Sequence, residues 1–192
     1  GLENSIDGIR LINQARGNVI GTDGSDDPHN SSEGNLVSGN RERGIRIQNS
    51  HENTIAGNLI GTNAGGALAV ANGLDAMWIL GGSTANRVGT NGDGVHDDSE
   101  RNVLSGNGGY GVRVADAGTE DNVIAGNYIG LDITGTQVIA NSVHGVLVEN
   151  DAAHNRIGTD GNGNGFDAAE ANVISGNLDG VTLNNSHFNV VA

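Results

Sequence analysis

Three stretches of this sequence carry the residue types that bind a hard cation. They read "TDGSDDPHNSSEGN" from Thr22, "TNGDGVHDDSERN" from Thr90 and "TDGNGNGFDAAEAN" from Thr159. Each opens on Asp or Asn (Asp23, Asn91, Asp160), carries Asn30, Asp97 or Asp167 further on, and closes on Glu33, Glu100 or Glu170. With Asp26, Asp27, Asp93, Asn162 and Asn164 between them, every loop offers several carboxylate or amide oxygens, the ligands Ca²⁺ prefers. An EF-hand is excluded, because the twelfth position counted from Asp160 is Ala171 and from Asn91 is Asn102, where a bidentate Glu is required. The tandem glycine-rich calcium nonapeptide of other solenoids is absent too. The same residues support a metal-free reading. Asn30, Asp97 and Asp167 each precede a Glu by three positions, the spacing of a capping box on one short helical turn, and Asp-Gly and Asn-Gly favour tight turns unaided. The two readings are compatible.

A second set is cationic. Arg10, Arg46, Trp78 and Arg113 occupy the middle position of short alternating segments, "GIRL", "GIRI", "AMWI" and "GVRV", continued by Leu147 and Thr182 in "GVLV" and "GVTL". If those segments are neighbouring strands, the middle residues share the outward face, a strip along which an anionic glycan could lie; exposed sheet positions also accept long polar side chains without any ligand. The five aromatic residues, Trp78, Tyr110, Tyr128, Phe166 and Phe188, are scattered over the chain, whereas a sugar cleft wants stacking faces close together. The six histidines do not fall into a convergent ligand spacing. No catalytic residue is assigned.

The elements that must position these groups follow from a repeat. The motif N-x-[VI] recurs at Asn18, Asn53, Asn86, Asn122, Asn155 and Asn189, a period of about 34 residues. Each unit also holds a G-V-x-V-like segment and, in five cases, a third apolar segment: "NLVSG" from Asn35, "NLIGT" from Asn58, "NVLSG" from Asn102, "NYIGL" from Asn127 and "NVISG" from Asn172. Within each segment the apolar period is two, and Gly and Asn interrupt every few residues, which excludes helical repeats. Strands this short cannot stand alone in water. Parallel stacking of successive units buries them, with three inward columns: Ile9/Leu11 and their equivalents, Ile20 with Ile55, Val88, Ile124, Ile157 and Val191, and Val37 with Ile60, Leu104, Ile129 and Ile174. The expected fold is therefore all-β, a right-handed parallel β-helix of about six coils with three short strands per coil. Matching Asn residues would form amide ladders along the axis. Long loops alternate in position, so the full repeat is a pair of coils spanning 68 or 69 residues (Asn18 to Asn86 to Asn155). Residues 1–192 are expected to be one domain, an excerpt or unit of a longer or stacked array.

Composition bounds the partners. The chain holds 33 Gly, one Pro and no Cys, and its net charge of −14 includes nine Arg and no Lys. A nucleic-acid partner is excluded for want of a basic face, disulfides and cysteine metal sites for want of Cys, and membrane insertion for want of a long apolar run.

"NVIAGNYIGLDITGT", "NRIGTDGNGNGFDAAEANVISGN" and the recurring G-V-x-V resemble the right-handed parallel β-helix repeats of the pectin-lyase-like superfamily, of the bacterial secreted and cell-surface repeat-array type. The resemblance covers residues 5 to 192. It implies an extracellular or surface location and a choice among functions that the fold leaves open: polysaccharide lyase, hydrolase, uronate epimerase, glycan-binding module or non-catalytic spacer. "DDPH" at Asp26 to His29 is similar to the Asp-Pro-His stretch of β-helical uronate epimerases, but the matching loops read Gly94-Val-His96 and Gly165-Phe-Asp167, and no Tyr-Gly context surrounds it. An active site breaks a repeat where scaffolding preserves it. The expected function is thus a non-enzymatic structural solenoid, a spacer, adhesin stalk or filament unit, with calcium as a possible stabiliser and copies of itself head-to-tail, or adjoining repeats, as partners. The alternatives are a polysaccharide-active enzyme or a module binding an anionic glycan along the Arg10/Arg46/Trp78/Arg113 strip.

Overall fold

The computed structural model of the chain describes residues 3–25, 27 and 29–192. Its strands form three parallel sheets wound into one solenoid, a right-handed parallel β-helix. The first sheet holds Ile9–Ile12, Ile45–Gln48, Met77–Leu80, Val112–Ala115, Val146–Glu149 and Val181–Asn184, in that spatial order. The second holds Val19–Gly21, Thr54–Ala56, Arg87–Gly89, Val123–Ala125, Arg156–Ile157 and Val190–Val191, and the third Leu36–Val37, Leu59–Ile60, Val103–Leu104, Tyr128–Ile129 and Val173–Ile174. Each chain segment pairs only with its equivalent one coil away, so register is set by the repeat itself.

The alternation of the segments explains the interior. Ile45, Met77, Val112 and Val146 stack in one inward column and Ile47, Ile79, Val114 and Val148 in the next, all fully buried. Ile55, Val88 and Ile124 line the second sheet, and Ile60, Leu104 and Ile129 the third. Burying each such side chain contributes about 1.5–3 kcal/mol, which offsets the cost of ordering a chain otherwise rich in Gly and Asn.

The corners are built of amides. Asn18, Asn53, Asn86, Asn122, Asn155 and Asn189 form one ladder, in which each Nδ2 donates to the next Oδ1 at 2.8–3.1 Å. Asn35, Asn58, Asn102, Asn127 and Asn172 form a second. A third, which sequence reasoning did not separate out, runs through Asn4, Asn40, Asn72, Asn107, Asn141 and Asn177. In all three the donor precedes the acceptor in sequence; along the first two ladders the backbone N–H of each asparagine before the last also donates to that oxygen, and in the third the N–H groups of Asn40, Asn107 and Asn141 do the same. The corner closing the second sheet needs glycine. Gly21 and Gly89 have φ near 100°, and a Cβ on either would strike the carbonyl of Ala56 or Ala125 in the neighbouring coil.

Candidate functional site

The three acidic loops lie on one flank, stacked two coils apart, about 9.6 Å by strand spacing. Asn164 Nδ2 donates to the Gly92 carbonyl at 3.1 Å across that gap, Gly24 lies against Glu100, and Gly92 lies against Glu170. Asp26 and Pro28 fall outside the described residues; His29, next to them, is exposed.

Each loop ends in one turn of helix: a 3₁₀ turn at Asn30–Ser32, and α-turns at Asp97–Glu100 and Asp167–Glu170. The capping-box expectation is corrected here. The N-cap positions belong to His96 and Phe166, with no side-chain cap bond, and Asp97 and Asp167 are already inside the turn. Asp97 instead accepts from Thr90 Oγ1 at 2.7 Å and from the Gly94 N–H at 3.1 Å. The glutamates turn inward. Glu100 accepts from Arg87 Nη1, Thr90 Oγ1 and the Asn91 N–H, all at 2.9 Å, and Glu170 from Arg156 Nη1 at 3.3 Å, Thr159 Oγ1 at 3.1 Å and the Asp160 N–H at 2.9 Å. Both are buried and both carboxylates face a guanidinium, which satisfies a charge that would otherwise be costly inside the fold. Glu33 differs: it is exposed, and the position equivalent to Arg87 is Val19.

The remaining predicted ligands divide in two. Asp23, Asp93, Asp160, Asn162 and Asn164 each accept the backbone N–H two residues on, at 2.8–2.9 Å, so their oxygens already shape the turns. Asp27 likewise accepts the His29 N–H. Only in the third loop do carboxylates converge: one oxygen each of Asp160, Asp167 and Glu170 lie within 4.8 Å of one another, the single such group among the described residues. Asp167 Oδ1 is solvent-inaccessible and has no hydrogen-bond partner. In the second loop Asn91 stands where Asp160 does, and the group is not assembled.

The cationic strip has the register its spacing implied, Arg10, Arg46, Trp78, Arg113, Leu147 and Thr182 in line. Its charges are largely engaged. Arg10 lies 3.7 Å from Asp7, and Arg113 makes a two-pronged ion pair with Glu149. Trp78 is covered on its faces by Arg43, Arg46 and Arg113, with guanidinium carbons 4.3–5.6 Å from the ring centre. Sequence reasoning missed Arg43, which sits two residues before its strand, 3.5 Å from both Asp7 and Asp75. The column before the first sheet, Asp7, Arg43, Asp75, Tyr110, His144 and Asp179, was the available signal, since it opens with a base between two acids.

Among the described residues three carboxyls are shifted, in opposing senses. The Gln137 N–H, with Thr134 and Thr136, holds Asp132 below the usual carboxylate range, and the Ser25 N–H does the same for Asp23. Burial pushes Asp75 up, against the Tyr110 N–H and the Arg43 charge. A depressed carboxyl adds stability above its ordinary pKa and loses it as pH falls through the folded value; a raised one costs nothing below the ordinary value and its full penalty above the folded one. Asp132→Asn is therefore expected to flatten the acid limb of the stability profile and Asp75→Asn to steepen it. Urea midpoints between about pH 2 and pH 6 read both slopes, and matching slopes in the two variants would refute the assignment.

Compared with protein-family models, curated proteins and solved structures, the chain finds no match in any of the three.

Proposed function

We propose that the chain is a non-catalytic structural β-solenoid, a stiff spacer or fibre unit of a secreted or cell-surface protein, of the kind its repeats resemble. One observation carries this reading: the repeated polar side chains that could do chemistry bond to the neighbouring coil or to their own loop. The amides bond along the ladders, the buried glutamates bond Arg87 and Arg156, and Arg113 bonds Glu149. The ladders also have a direction, donor before acceptor throughout. A further coil of the same sense, from a second copy or an adjoining repeat, suits the open side of the Ile9–Ile12 strand at one end and of Val181–Asn184 at the other.

A second reading concerns calcium, favoured by the convergence of Asp160, Asp167 and Glu170. With Glu170 already neutralised by Arg156, the cation would draw on Asp160 and the unpartnered Asp167 oxygen and would act as a staple for the loop.

The test is incubation with polyuronates and neutral glycans, with and without millimolar Ca²⁺. The expected result is no unsaturated product and no new reducing end. Turnover abolished by Arg113→Ala would overturn the structural reading and establish the polysaccharide-active one; saturable glycan binding without turnover, lost in the same variant, would establish the binding module.

A further inference from the structure

The outer face of the third sheet carries a groove of about 530 Å³, floored by Leu36, Leu59 and Val103 and walled by Ile133, Arg101 and the turn at Ser31 and Ser32. Its volume falls in the range of small-molecule sites. The repeat itself shows what the groove lacks. Two coils on, the equivalent of Leu59 is Tyr128, and the equivalent of Gly34 is Arg101; there the guanidinium carbon lies 4.5 Å from the phenol ring centre. Ala64 likewise stands where the later loop has Ile133. In the first pair of coils all three substitutions run to the smaller residue. A side chain cannot return at Gly34, because a Cβ there would strike the Gly57 carbonyl.

Arg101 belongs to both places. It stacks on Tyr128, donates from Nε to the Gly126 carbonyl at 3.0 Å, pairs with Asp98 at 3.1 Å, and also lines the groove. A guanidinium held this way is a prepared partner for a second ring. The floor is aliphatic, and hydroxyls and a carboxylate stand at the rim, in Ser31, Ser32 and Asp98. Asp98 and the chain's net charge of −14 disfavour an anionic occupant.

We infer that this groove is a binding site for a small neutral monocyclic phenol, whose ring takes the place that Tyr128 fills in the next pair of coils. The aliphatic floor buries the ring, Arg101 stacks on it, and the rim receives the hydroxyl.

The test uses p-cresol as probe and cyclohexanol as a non-aromatic ring of similar size, titrated into the whole chain and followed by amide chemical shifts. Saturable shifts are expected at Leu36, Leu59, Val103 and Ile133, with p-cresol binding at least tenfold more tightly than cyclohexanol. Leu59→Tyr restores the side chain of the repeat and is expected to weaken p-cresol binding at least tenfold while the protein stays folded. Ala64→Ile, the other restoring change, is expected to weaken it too and serves where Leu59→Tyr fails to fold. No saturable shift, shifts located elsewhere, equal binding of cyclohexanol, or binding unchanged in both folded variants would each overturn the assignment.

Discussion

Replacing Arg87 by valine is expected to destabilise the protein by about 3–5 kcal/mol, the usual cost of removing one partner of a buried ion pair. The sheet itself should accept the change, since Val19 occupies the equivalent position in the first coil. The damage comes from Glu100. Its side chain is wholly buried, and Arg87 Nη1 is its one cationic partner among the described residues, bonded at 2.9 Å while also donating to the Gly89 carbonyl at 2.6 Å. Without that charge the carboxylate keeps only the Thr90 hydroxyl and the Asn91 N–H. Arg87→Val combined with Glu100→Gln should recover most of the loss, because a neutral amide can still accept from Asn91 and leaves no unpaired charge. In the first coil the pairing does not arise, as Glu33 is exposed where valine is native. Urea unfolding of the two single variants and the double variant tests this; an Arg87→Val protein as stable as the parent would show that the Glu100 charge is not held by this pair.

The second large effect is expected at the centre of an amide ladder. Asn122 is fully buried. Its Oδ1 accepts both the backbone N–H of Asn86, at 3.0 Å, and the Asn86 side-chain amide, at 2.9 Å; its Nδ2 donates to Asn155 Oδ1 at 2.9 Å and to the Ser83 carbonyl at 3.0 Å. Asn122→Ala strands two buried donors on Asn86 and opens a void in which they find no partner. At roughly 1–3 kcal/mol for each unsatisfied group, the loss should be about 4 kcal/mol. Asn122→Asp should be no better: it keeps the acceptor but loses the donor, and sets a carboxylate oxygen against the Asn155 oxygen in the interior. The same alanine change at Asn18 leaves Asn53 with its bond to Asn86 intact and should cost about 1 kcal/mol, that of one ordinary hydrogen bond. Thermal or denaturant unfolding of the three variants measures the gradient, and equal costs at Asn18 and Asn122 would argue that the amides only shape turns.

Much of the architecture is legible in the sequence because a strand's period of two and a repeat of about 34 residues leave few choices. Ile45, Ile47, Ile55 and Ile60 stack where their spacing places them. The ladder through Asn40, Asn72, Asn107, Asn141 and Asn177 was hidden by its surroundings: three members sit in Ser-Gly-Asn, but Asn72 and Asn141 follow long loops and read Ala-Asn. The loops were the harder part. Glu100 and Glu170 stand three residues after an aspartate, and a local rule reads that spacing as a cap; their partners, Arg87 and Arg156, are 13 and 14 residues away and meet them only once the loop folds back. A contact made by a returning loop has no periodic signature. The absence of arginine from the strand before the one loop whose glutamate stays exposed was the trace it left, visible only by comparing Val19 with Arg87 and Arg156 across units. The groove is of the same kind, because Leu59 and Ala64 are unremarkable until set beside Tyr128 and Ile133.

The central claim, that the repeated polar residues are the scaffold, is tested most directly by native-state amide hydrogen exchange. The N–H groups of Asn53, Asn86, Asn102 and Asn122 each donate to the side-chain oxygen of the next coil, at 3.0–3.3 Å. They should exchange only through global unfolding, with the same free energy as the buried strand residues Ile79 and Val114, and Asn122→Ala should lower protection at Asn86 by more than at Asn40, on a different ladder. Ladder amides that exchange as fast as those of the exposed turns at Gly94 and Gly163 would contradict the account and leave these asparagines without the structural role assigned to them.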